Sequence, residues 1–166
     1  MNISDVSTSQ LSAMNHTPSQ CLVFALGDEH YGVDILNVRE IRAWSGTTRL
    51  PNTPGYLRGV MNLRGRIIPI FDLAARFGGE VTTITDKHVV VILSVAEQTI
   101  GLIVDAVSDI LDIGAGEVKP APAQEMSATA EFIRGILTHE NRLIVLLDST
   151  PLIEATAAES MANLNQ

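Results

Sequence analysis

Apolar residues recur at every second position in short stretches of this chain, and turn-forming residues separate the stretches. Leu22, Phe24 and Leu26 alternate with smaller residues, Gly27-Asp28-Glu29 turns the chain, and Tyr31, Val33 and Ile35 alternate again. Period-two alternation on both sides of a glycine turn predicts a β-hairpin with one buried face. Tyr56 to Phe71 predicts a second hairpin, folded near Asn62-Leu63-Arg64-Gly65. His88 to Val95 and Thr99 to Asp105 predict a third strand pair around Ala96-Glu97-Gln98. Glu131 to Thr138 and Arg142 to Leu147 predict the last. Residues 45–55 and 114–124 gather glycine and proline and read as loops. Helix is expected in two places only. Asp72 is placed to cap a short one that carries Leu73 and Phe77 at i and i+4 and stops at Gly78-Gly79. Near the end of the chain, Pro151 fits the first position of a helix capped by Thr150, with Leu152, Ile153 and Ala157 on its apolar side. Residues 1–20 show no period and are expected to form a flexible tail.

An internal repeat runs through this pattern. Tyr56-Leu57-Arg58-Gly59-Val60-Met61 matches Phe132-Ile133-Arg134-Gly135-Ile136-Leu137 without a gap. Arg66-Ile67-Ile68 then matches Arg142-Leu143-Ile144, and Asp72 matches Asp148. Earlier, Tyr31-Gly32-Val33 resembles Ile100-Gly101-Leu102, and Val38 to Ile41 resembles Val107 to Ile110 with an acid third in both, Glu40 and Asp109. One β-rich module therefore occurs twice, at 21–85 and 86–153, followed by a helix and tail at 154–166. The boundary is approximate. Short strands at this spacing point to small barrels. Each would be marginal alone, so a shared apolar core is expected. The copies differ at a hairpin tip, where Arg64 aligns with Glu140. An unshared charge at a tip is a candidate for function.

Charge sharpens that reading. The 166 residues carry a net charge of −8, unevenly spread. Residues 39–76 hold seven arginines against Glu40 and Asp72, while the segments on both sides are acidic. Arginine binds carboxylates bidentately and is enriched at protein interfaces. The alternative is a set of solvated residues paired with local acids. Nucleic acid is disfavoured by the net charge and by an aromatic content of only 4%. The longest apolar runs, such as Val89 to Leu93, are far short of the roughly 20 residues that span a bilayer. The polar start offers no secretory signal, and a cytoplasmic protein is expected.

Catalytic chemistry is not announced. His16, His30, His88 and His139 form no i,i+4 pair, and His139-Glu140 does not continue as a zinc motif. There is no nucleophile elbow and no phosphate loop; Gly114-Ala115-Gly116 lacks a third glycine. Cys21 is the single cysteine, which excludes an internal disulfide, and its place in a strand suits a structural thiol. No enzyme, cofactor or metal is expected.

Several of these segments, in their order, resemble the CheW family of chemotaxis coupling proteins. They are Gly27-Asp28-Glu29 with Tyr31-Gly32-Val33-Asp34-Ile35, Val38-Arg39-Glu40-Ile41, Pro51-Asn52-Thr53-Pro54, Arg58-Gly59-Val60, Asn62-Leu63-Arg64-Gly65, Ile68-Pro69-Ile70 and Gly101 to Val107. The resemblance covers about Cys21 to Ile153. It implies a mainly β fold of two SH3-like five-stranded barrels on a shared core. It implies a non-catalytic adaptor that bridges the cytoplasmic tips of methyl-accepting chemoreceptors to the regulatory domain of the histidine kinase CheA, in membrane-associated arrays and without inserting into the membrane. Val38, Glu40 and Arg64 match positions implicated in contact with the kinase and the array. Ile35, Arg64, His88, Val89 and Val104 are the expected receptor-facing set, in a groove between the barrels. Val38 could equally be core, since Ile35, Val38 and Ile41 share a three-residue spacing. An adaptor of a chemosensory pathway that drives no flagella, and a small-ligand-binding barrel, remain as alternatives.

Overall fold

The computed structural model describes residues 18–122 and 130–155. Ten strands follow one another: β1 (Gln20–Leu26), β2 (Glu29–Asp34), β3 (Val38–Ala43), β4 (Leu57–Leu63), β5 (Arg66–Asp72), β6 (Val89–Val95), β7 (Gln98–Val104), β8 (Ala106–Asp112), β9 (Ile133–His139) and β10 (Arg142–Leu147). They form two five-stranded sheets, in the orders β8-β1-β2-β10-β9 and β3-β6-β7-β5-β4. The mainly β architecture and the four hairpins are as the alternation predicts. The expected 1–20 tail overlaps β1 by one residue, and its first 17 residues lie outside the described ones.

The sheets are not the two halves of the chain. Each repeat supplies five strands, β1 to β5 and β6 to β10, and each gives its first hairpin to the sheet of the other. Thus β2 lies parallel to β10 in the first sheet, and β5 lies parallel to β7 in the second, while all other neighbours are antiparallel. A division at 85/86 runs through both sheets. The chain changes sheets at a 3-10 turn, η1 (Ile35–Asn37), which the Asp34 side chain caps by accepting the Leu36 N–H, and again at Asp105 between β7 and β8.

That exchange explains a departure from the expected burial. The first hairpin does not bury one face; β1 buries both. Leu22, Phe24 and Leu26 enter a core shared by the two sheets, while Cys21 and Val23 enter a core belonging to the first sheet alone. In β6, Val91 and Leu93 face the shared core, and Val90 and Ile92 face the interior of the second sheet. Strands covered on both sides read as continuous apolar runs rather than clean alternation. Cys21 has no exposed surface, and burial, with a smaller contribution from Asp34, pushes its thiol up to about 11. It is an inert packing residue.

The repeated Arg-Gly pair has a physical explanation. Residues that follow each inner edge strand fold over the opposite edge: Thr48 exchanges backbone hydrogen bonds with Val60 (2.8 and 2.9 Å), and Lys119 does so with Ile136 (both 2.8 Å). Covering an edge removes a template for aggregation. The approach is so close that a Cβ at Gly59 would lie 2.3 Å from the Thr48 carbonyl oxygen, and one at Gly135 would lie 2.7 Å from that of Lys119. The arginine before each glycine pairs with the helix-capping aspartate: Arg58 with Asp72 (3.7 Å) and Arg134 with Asp148 (3.2 Å). Asp72 is buried and also accepts from Thr82 N–H (2.6 Å), Thr82 Oγ1 (2.8 Å) and Ala75 N–H (3.3 Å) at the start of helix α1 (Leu73–Arg76).

The second helix, α2, occupies 149–155 and so begins before the expected boundary at 154. Thr150 is not its cap. Asp148 is, accepting the Thr150 N–H at 3.3 Å. Pro151 then falls within the first turn, where backbone N–H groups have no helical partner and its missing donor costs nothing. Leu152 and Ile153 are fully buried in the shared core, as their apolar pattern predicts, while Ala157 lies outside the described residues.

Candidate functional site

The β4–β5 hairpin turns on two residues, Arg64 and Gly65, with φ of 51° and 85°. Positive φ at both positions is the type I′ geometry that matches strand twist. This turn carries Arg64 to the far edge of the same sheet. There its guanidinium pairs with Glu40 Oε2 on β3, and Arg42 holds Glu40 Oε1 at 3.0 Å. Glu40 and Arg42 share a face because side chains two apart on a strand point the same way. The Arg64 side chain remains 71% exposed and that of Glu40 24%, so the cluster lies at the surface. The same strands expose apolar side chains, Ile41 on β3 and Ile67 on β5, and Leu36 protrudes from η1.

The hydrogen bonds from Arg64 and then Arg42 hold the Glu40 carboxyl below its usual value. A depressed folded-state pKa stabilises the fold above the unfolded carboxylate range, near 4.3, and that contribution is lost as pH falls through the folded value. We expect the carboxyl midpoint of Glu40, followed by carbon-detected NMR, to lie below the ordinary glutamate range and to rise in Arg64→Ala. An unmoved midpoint would mean that the pair does not form in solution.

The first sheet carries a related but unequal arrangement. Asp109, the counterpart of Glu40, is paired by Arg142 at 3.4 Å, and Ile110 and Leu143, counterparts of Ile41 and Ile67, are exposed. The tip residue Glu140 has the same φ of 51° as Arg64 but opposite charge, and lies 3.8 Å from His139. The two sheets thus share exposed apolar positions and differ in the charge between them.

The remaining candidate residues do not form one patch. Val38 and Ile35 are half-buried against the shared core, so Val38 contributes to packing while keeping some surface. Ile35 belongs to the end of β6 near Leu93, because Val38 pairs with Leu93 and η1 packs on β6. His88 and Val89 sit at the other end of that strand, four to five residues from Leu93 and so about 13–17 Å away. Val104, opposite Val89, is fully buried in the shared core and presents nothing to a partner. His88 faces Asp105. Its Nδ1 accepts the Thr85 N–H (3.0 Å), which leaves the ring proton on Nε2, 3.4 Å from Asp105 Oδ1. Asp105 also accepts the Gly27 N–H at 2.6 Å, so the histidine braces the passage between the sheets. Nothing in the sequence pairs His88 with Asp105; only the β6–β7 register does.

Among the described residues, no three His, Cys, Asp or Glu side chains are grouped to hold a metal ion. An open concavity of about 680 Å³ lies beside the β1–β2 turn, with Asp28, Glu29, His30, Arg142 and Leu143 in its wall. Asp28, Glu29 and His30 follow one another at the start of β2, and Arg142 opens β10.

A two-sheet β-protein with an exposed charge cluster and exposed apolar side chains on the same strands has the surface of a protein-interaction module. Residues 20–157 match the family model of the CheW-like domain. The chain is 38% identical over 150 residues to the probable chemotaxis protein CheW of Rhizobium etli, covering 90% of this chain and 97% of that one. It is 38% identical to the chemotaxis protein CheW of Klebsiella aerogenes, over 85% of this chain and 83% of the relative. The crystal structure of the scaffolding protein TtCheW from Thermoanaerobacter tengcongensis superposes with a TM-score of 0.71 at 33% identity, covering 80% of this chain and 85% of that one. The chain belongs to the CheW family and is an adaptor of chemotaxis signalling complexes. No helix among its described residues is long and apolar enough to cross a membrane.

Proposed function

We propose that this protein is a non-catalytic adaptor that couples the cytoplasmic tips of methyl-accepting chemoreceptors to the regulatory domain of a CheA-type histidine kinase, acting in the cytoplasm at membrane-associated arrays. The observation that carries the reading is the Glu40–Arg64–Arg42 cluster at the open edge of the second sheet, with Ile41 and Ile67 exposed on the same strands. Arginine is enriched among the residues that anchor protein interfaces. Val38, Glu40 and Arg64 form the kinase-facing surface. Ile35, His88 and Val89, with Arg64, are the receptor-facing positions; Val104 acts from within the core.

Calorimetric titration of the full chain with a purified kinase regulatory domain, and separately with a receptor tip fragment, tests the division. Both should bind the wild type. Glu40→Ala should weaken kinase binding about tenfold, or about 1.4 kcal/mol, and leave receptor binding within about twofold. A loss confined to the receptor would overturn the assignment of surfaces. Failure of the wild type to bind either would overturn the adaptor reading.

A further inference from the structure

The chain has four phenylalanines and two tyrosines, and all six lie in two groups of touching rings. Phe24 on β1 stacks on Tyr31 of β2 (6.1 Å between centroids), Tyr31 meets Phe77 after α1 (5.6 Å), and Phe77 stacks on Phe132 just before β9 (6.3 Å). Tyr56, just before β4, stacks on Phe71 of β5 (6.2 Å). The first group of four rings lies mainly with the first sheet, and the second group of two with the second. Arg76 touches both groups: its guanidinium carbon lies 5.1 Å from the centroid of Tyr56 and 5.1 Å from that of Phe132.

Tyr56 and Phe132 are counterparts in the repeat, and each accepts a backbone hydrogen bond from the counterpart aspartate: Asp72 N–H to Tyr56 O (2.7 Å) and Asp148 N–H to Phe132 O (2.8 Å). Arg76 therefore lies between equivalent points of the two copies. Its own counterpart by the same alignment is Leu152, fully buried in the shared core. One helix thus contributes an apolar residue to the seam and the other a planar cation.

We infer that Arg76 is a positioning residue that fixes the two sheets in one relative orientation, through a guanidinium sandwiched between Tyr56 and Phe132. Apolar packing alone is non-directional and tolerates sliding. A planar cation between two ring faces is directional, because ring quadrupoles attract it only over the face. Arginine suits this place better than lysine, whose ammonium is a compact point charge and does not stack. For an adaptor the orientation of two surfaces is itself the functional quantity, but the inference does not depend on which partners bind.

Pulsed EPR distance measurement on the full chain tests it. Labels on Gln98→Cys in β7 and Thr138→Cys in β9 report one sheet against the other, since both positions are exposed. Cys21 is fully buried with a raised pKa and should not label. With Arg76 intact, one narrow distance distribution is expected. Arg76→Gln should broaden or shift it, Arg76→Lys should restore it only in part, and Tyr56→Leu, which removes one ring and keeps the cation, should repeat the effect if Arg76→Gln folds poorly. Melting curves on the same samples separate this from global loss of stability. A distribution unchanged in both Arg76→Gln and Tyr56→Leu would overturn the inference.

Discussion

Gly59→Ala should lower the melting midpoint by roughly 6–16 °C, while Gly65→Ala, six residues on, should lower it by only a few degrees. Both glycines have positive φ, 130° and 85°. A side chain at Gly65 would meet open space, so the cost there is backbone strain alone, about 1–2 kcal/mol. At Gly59 the strain is compounded by a Cβ 2.3 Å from the Thr48 carbonyl oxygen and 2.8 Å from its carbon. Those are backbone atoms with no rotamer to change. The covering segment must move, which breaks both Thr48–Val60 hydrogen bonds at about 1 kcal/mol each. Strain and lost bonds together amount to about 3–4 kcal/mol. Scanning calorimetry of the two variants decides it. Equal shifts would mean that the segment over β4 is loosely held and that the glycine of the repeated pair needs another explanation. Gly135→Ala should follow Gly59→Ala, because its Cβ would meet both Lys119 O and Val118.

Arg64→Glu should act in the opposite way, sparing the fold and damaging function. The turn accepts glutamate, since Glu140 occupies the equivalent turn at the same φ. Arg64 is mostly exposed, and Arg42 remains to pair Glu40. The melting midpoint should therefore stay within about 2 °C of wild type. At the surface, however, the tip would present a carboxylate beside Glu40 where the wild type presents a cation. Like charges brought together at an interface cost affinity and slow association. Binding to the kinase regulatory domain should weaken at least about tenfold, and wild-type bait should capture kinase and receptors from native lysate in quantities that the variant does not. Unchanged affinity for both partners would remove Arg64 from the working surface.

Much of this protein is written in local pattern. The hairpins follow from alternation and turn residues, and α1 follows from Asp72 and the Leu73–Phe77 spacing. Two strands are fainter. In β3 and β8 the segments Val38-Arg39-Glu40 and Ser108-Asp109 break the apolar rhythm, because these are edge strands whose charges discourage further pairing. They show only through the repeat. The cap of α2 was likewise legible in the repeat, where Asp148 aligns with Asp72, but the nearby Thr-Pro pair is a competing signal. For the site, the mismatch between Arg64 and Glu140 marks the tip charge, whereas nothing local distinguishes buried Val104 from half-buried Val89.

Strands, turns, duplication and family are legible along the chain, because each depends on neighbours a few residues apart or on order. Folding in three dimensions adds that each copy lends its first hairpin to the other sheet, that Glu40 meets Arg64, that His88 meets Asp105, and that Arg76 lies against both Tyr56 and Phe132. Period-two alternation says which face a residue takes but not which strand will lie beside it. Partners 17 to 56 residues apart are brought together by sheet order and curvature, which no local signal encodes.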